Sequence, residues 1–87
     1  MARVFVPPTI RSLAGGQEVV EAAGNNVREV INALEEQHPG IKDRLCHDGK
    51  LLPGLSVVIS GSISSLGLLH RVNADTEIHF LPAISGG

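Results

Sequence analysis

An α+β fold, with one helix packed on one face of a mixed sheet, follows from three features of the sequence. Val27, Val30, Ile31 and Leu34 fall at i, i+3, i+4 and i+7 and mark one apolar helix face. Runs rich in β-branched residues stand on both sides of it, Arg3-Val4-Phe5-Val6 before and Leu55-Ser56-Val57-Val58-Ile59 after. The chain has 87 residues, which suits a single core and one domain.

In order, the first strand is expected at about residues 2–7, ended by Pro7-Pro8. Thr9 to Gly16 is a connection in which Ile10 and Leu13 suggest one helical turn, and Gly15-Gly16 turns the chain into a second strand, Gln17 to Ala23. No GxxxxGK[ST] or GxGxxG pattern surrounds those glycines, so a turn is preferred to a phosphate cradle. The helix is expected over residues 26–38. Asn26 caps it by accepting the Glu29 N–H, Glu29 completes a capping-box-like pattern, and Pro39-Gly40 stops it. Ile41 and Leu45 suggest a further helical turn, and Asp48-Gly49 a reversal. Leu55 to Ser60 reads as an interior strand, and Ser62 to Asn73 sustains neither period and holds at most a very short strand. Thr76 to Leu81 is the last strand, and Pro82, with no N–H, is expected to stop the pairing. The β-β-α-β-β order defines a β-grasp fold, with a four- to five-stranded sheet whose first and last strands lie side by side at its centre. Residues 1–81 form that domain, and residues 82–87 a flexible tail.

Composition narrows the function. Seven Lys and Arg against nine Asp and Glu, with no Trp or Tyr, offer neither a basic stripe nor stacking platforms for nucleic acid. No apolar run approaches the ~20 residues of a membrane span, nor the core of a signal peptide, which predicts a cytoplasmic protein. A single cysteine, Cys46, agrees with a reducing compartment. His38, Cys46, His47, His70 and His79 are the reactive-looking residues. Cys46 and His47 are adjacent, which is poor zinc-ligand spacing, and no base or oxyanion donor accompanies the thiol. Neither a metal site nor an internal catalyst is expected.

The ending Leu81-Pro82-Ala83-Ile84-Ser85-Gly86-Gly87 is the remaining signal. Two residues without Cβ before a free carboxylate can pass through a narrow channel into a partner's active site. A Gly-Gly end is equally what a frayed terminus looks like, so the tail alone decides nothing.

Val4-Phe5-Val6-Pro7-Pro8-Thr9-Ile10-Arg11, Gly15-Gly16-Gln17, Glu35-Glu36, His38-Pro39-Gly40-Ile41, Arg44-Leu45 and the Leu-Pro-Ala-x-x-Gly-Gly ending together resemble the ubiquitin-like sulfur carriers of the MoaD/ThiS family, over almost the full length. Within it the Gly15-Gly16-Gln17 turn and the Leu-Pro-Ala-x-x-Gly-Gly ending look most like the CysO-type carriers, with the molybdopterin synthase small subunit next. Ser60-Gly61-Ser62-Ile63-Ser64-Ser65-Leu66-Gly67-Leu68-Leu69 departs from the family pattern, which bears on partner choice and not on tail chemistry.

The resemblance implies a carrier without catalytic residues of its own and without a bound cofactor. Gly87 is adenylated by an E1-like adenylyltransferase of the MoeB/ThiF type that uses ATP, then converted to a thiocarboxylate that donates sulfur to an acceptor such as a PLP-dependent cysteine synthase. Gly86, Ser85 and Ile84 give the tail its access, and a JAMM-type protease is a further implied partner. A ubiquitin-like modifier conjugated through Gly87 shares the tail and the activation step, and a plain interaction module would need neither. Partner docking is expected at exposed apolar residues beside the last strand, with Leu68, Leu69, Phe80 and Pro82 as candidates.

Overall fold

The computed structural model describes residues 1–82. Strands β1 (Ala2–Phe5) and β2 (Val19–Ala22) form an antiparallel hairpin, joined by a 3-10 turn over Pro8–Ala14. Helix α1 (Val27–Gln37) follows. A 3-10 turn at Lys42–Arg44 then leads into a small hairpin of β3 (Cys46–His47) and β4 (Lys50–Leu51). Strand β5 (Leu55–Ile59) turns into β6 (Ser62–Ile63), a third 3-10 turn spans Gly67–Leu69, and β7 (Glu77–Pro82) ends the described chain. The main sheet runs β2-β1-β7-β5-β6, with β1 and β7 parallel at its centre and the other pairs antiparallel. This is the expected α+β, β-grasp arrangement.

The helix forms where the apolar period places it. Asn26 takes an extended conformation and its side chain accepts the Glu29 N–H at 2.8 Å. The Glu29 carboxylate reaches one residue further back than a capping box requires and accepts from the Asn25 N–H at 2.9 Å. The Val27 N–H, another donor that the first turn cannot satisfy, goes to the His70 carbonyl at 3.0 Å. Gly24 lies so close beneath this turn that a Cβ there would sit 2.7 Å from the Val30 nitrogen. Val27, Val30, Ile31 and Leu34 are each at most 1% exposed, and they pack against Val4, Val20, Val57, Ile78 and Phe80 from the inner face of the sheet.

Three details differ from the sequence expectation. The β3–β4 hairpin, unforeseen because two residues per strand show no alternation, is closed by the expected Asp48-Gly49 turn with both φ positive (53° and 74°), whereas β6 is the very short strand expected within residues 62–73. Pairing does not stop before Pro82, which lies opposite Leu55. The Ser60 N–H to Glu77 carbonyl bond makes 60/77 a hydrogen-bonded pair, so by alternation 55/82 is a non-bonded one and the missing proline N–H faces away from β5. On that side β1 has already ended, at Phe5 opposite His79, so no ladder bond is lost. Finally, Phe80 points inward.

The exit from α1 is fixed by one carboxylate. Glu35 accepts the Gly40 N–H at 3.0 and 3.1 Å through its two oxygens and the Lys42 N–H at 2.9 Å. These bonds, helped by the Lys42 charge and opposed by desolvation, hold its carboxyl below the ordinary value of 4.5. A depressed folded-state pKa contributes stability that is complete above the unfolded value and is lost as pH falls through the folded one. Glu35→Gln should therefore be less stable than the parent at neutral pH, and the difference should shrink as pH drops below about 4.5. Urea denaturation at neutral and acid pH checks this; a difference that persisted with Glu35 fully protonated would assign the effect to packing instead.

Candidate functional site

The site expected from the sequence is the chain end delivered by β7. Being the central strand, β7 is held on both sides over Glu77–His79 and by β5 alone from Phe80 to Pro82, where the described residues end. Gly87, Gly86, Ser85 and Ile84 lie outside the described residues.

Beside this end of β7 the outer face of the sheet carries an apolar row that the sequence reading did not assemble. Registers place Val19 opposite Phe5, Phe5 beside His79, His79 opposite Val58 and Val58 opposite Ile63, so one residue from each of the five strands lies in a line across the open face. The Phe5 and His79 rings stack in parallel, centroids 4.1 Å apart and planes 6° from coplanar. Glu77 flanks them, bonded to Arg3 at 3.1 Å and lying 3.9 Å from His79 Nε2. Leu81, half exposed, extends the row toward the end of β7, and Ile63 at 73% exposure forms its far end. The clue in the sequence was parity: Glu77, His79 and Leu81 alternate with Ile78 and Phe80, so two sets of side chains must face opposite ways.

The expected docking residues do not form one surface. Phe80 is 2% exposed, within the core on the helix side of the sheet, and is withdrawn as a docking residue. Leu68 is half-buried against the core, while Leu69 is 70% exposed, and both belong to the 3-10 turn that packs on α1 and β4, away from the outer sheet face. Pro82 ends β7, opposite Leu55.

The reactive-looking residues are placed as follows. Cys46 is buried, and burial raises its thiol pKa against the partial opposition of the Lys42 charge. His70 Nδ1 lies 2.7 Å from Ser64 Oγ, but that oxygen also accepts the Leu66 and Gly67 N–H groups at 3.1 and 3.2 Å. A hydroxyl already accepting two bonds and donating a third has no lone pair to present to a substrate, so the pair braces the loop rather than acting as a nucleophile and base. Among the described residues no three His, Cys, Asp or Glu come together to hold a metal. No helix there is long and apolar enough to cross a membrane.

Comparison with known proteins agrees with this geometry. The model of the ThiS family matches residues 4–87. Sulfur carrier protein CysO from Mycobacterium tuberculosis is 32% identical over 89 residues, covering 97% of this chain and 96% of that protein. A chain in the crystal structure of the BexX/CysO complex from Amycolatopsis orientalis superposes with a TM-score of 0.90 at 34% identity, with both chains covered in full. The small archaeal modifier protein 1 of Methanosarcina acetivorans shares the fold, with a TM-score of 0.81 at 24% identity over 99% of this chain and 95% of that one. A family match over nearly every residue, a β-grasp sheet with β7 at its centre and a Gly-Gly ending together show that this chain belongs to the ThiS family, as a ubiquitin-like sulfur carrier of the CysO type.

Proposed function

We propose that Gly87 is the working group of this carrier and that its carboxylate cycles through an acyl adenylate to a thiocarboxylate. The observation that carries the reading is the Leu81-to-Gly87 ending on a chain that matches the ThiS family from residue 4 to residue 87. A terminal carboxyl with a pKa of ~3.5 is ionised at neutral pH and is a poor electrophile. Attack of its oxygen on the α-phosphorus of ATP, with pyrophosphate leaving, makes a mixed anhydride; sulfide then attacks the acyl carbon and AMP leaves, giving the thiocarboxylate. An E1-like enzyme of the MoeB/ThiF type supplies the ATP site. The acceptor is a sulfur-assimilating enzyme such as a PLP-dependent cysteine synthase. The carrier itself acts as co-substrate and supplies no catalyst.

Docking to the activating enzyme is assigned to the row Val19, Phe5, Val58 and Ile63 with Leu81, because it is apolar, lies on the open face with Val19, Ile63 and Leu81 exposed and Phe5 and Val58 half-buried, and reaches the last residues of β7. Incubation with an E1-like enzyme, ATP and sulfide followed by intact mass spectrometry should show a gain of ~16 Da, one oxygen replaced by sulfur. An unchanged mass, under conditions in which the enzyme activates its own carrier, would refute the sulfur chemistry.

A further inference from the structure

Beside α1, and sharing no residue with the outer sheet row, lies a groove of about 380 Å³ built from three segments distant in sequence. Leu51 of β4 and Leu68 form its apolar floor, and both pack against the core. Leu66 and Leu69 stand up as walls, 59% and 70% exposed. Arg28 of α1 and Lys50 of β4 supply the charged part of the lining, and both are exposed. Neither cation has an ion-pair partner among the described residues. A chain with a formal charge of −2 thus presents an apolar groove edged by two cations that no described carboxylate pairs with directly.

We infer that this groove is a second docking site, whose occupant is an acidic amphipathic segment of a partner protein, leucine-type side chains seated between Leu66 and Leu69 and carboxylates meeting Arg28 and Lys50. The volume is at the lower end of ligand-binding clefts. A small molecule lying on the floor would leave both leucine walls wet, whereas a protein segment covers them and draws on the apolar area. A membrane is disfavoured, because lipid-binding patches carry clusters of about 4–8 basic residues. Charge complementarity then selects a segment bearing Glu or Asp. None of the groove residues belongs to the outer sheet row, so a partner held here leaves that row and the chain end free to engage an enzyme at the same time.

The full-length ¹⁵N-labelled protein is titrated with a synthetic helical peptide carrying leucines at i, i+3, i+4 and i+7 flanked by glutamates, and with the same peptide bearing lysines. The expected result is saturable shifts at the amides of Arg28, Lys50, Leu66 and Leu69 with the glutamate peptide only. The Arg28→Glu, Lys50→Glu double variant, with an unchanged spectrum elsewhere, should bind at least ~10-fold more weakly. Equal binding of the lysine peptide, shifts confined to the outer sheet, no shift at millimolar peptide, or loss of the groove signals through self-association or on anionic vesicles instead of with peptide would each overturn the assignment. The measurement involves no sulfur chemistry, so its failure leaves the reading of Gly87 intact, and the reverse also holds.

Discussion

Gly86→Val is expected to keep the fold and most of the affinity for the activating enzyme while lowering thiocarboxylate formation by at least ~100-fold, the scale on which a reacting atom displaced by about an ångström loses rate. In the proposed mechanism the globular body docks through residues that the substitution does not touch, whereas the carboxylate travels a confined path to the α-phosphate of ATP. A β-branched side chain at the penultimate position both widens the chain and restricts its backbone, since valine cannot take up the conformations open to glycine. One residue added after Gly87 should be as damaging unless a protease first trims it. Pyrophosphate exchange measured beside a binding titration separates the two effects. Exchange at the parental rate would remove both the carrier reading and any reading in which Gly87 becomes conjugated to another protein, leaving an interaction module.

Leu34→Ala should cost about 2–5 kcal/mol. Leu34 is fully buried on the last turn of the apolar helix face, where removing three carbons leaves a cavity that the sheet beneath cannot collapse to fill. For a domain of this size the loss corresponds to a fall in Tm of roughly 10 °C or more. Deleting Gly86 and Gly87 should change stability almost not at all, since the described core is complete without them. Chemical denaturation of the two variants tests the separation of roles; equal losses would mean that the chain end is part of the folded body.

The helix was legible because its evidence is local and redundant. Four apolar residues at one period, a capping asparagine and a Pro-Gly stop all lie within fifteen residues or so and agree with one another. The β-grasp order followed from counting elements, since a single helix can cover only one face of the sheet. The short strands at Cys46–His47 and Lys50–Leu51 were not legible, as two residues cannot display an alternation. Phe80 was left open although Ile78 and Phe80 share a parity, because an apolar residue beside an exposed chain end suits a docking surface as well as a core.

What the sequence determined by itself is the helix and the class of fold, both of which depend on residue type and short spacing. What only the tertiary structure decided is which side chains share a surface. Val19 and Val20 are equally strand-like neighbours, and it is the pairing of Val20 with Val4 and Val19 with Phe5 that buries the first and sets the second in the outer row. Leu66, Leu69, Arg28 and Lys50 are separated by up to forty-one positions and meet only because the Gly67–Leu69 turn packs between α1 and β4. Strand parity changes sides with a one-residue slip, and a groove exists only where segments cross, so neither property is carried by any stretch short enough to be read alone.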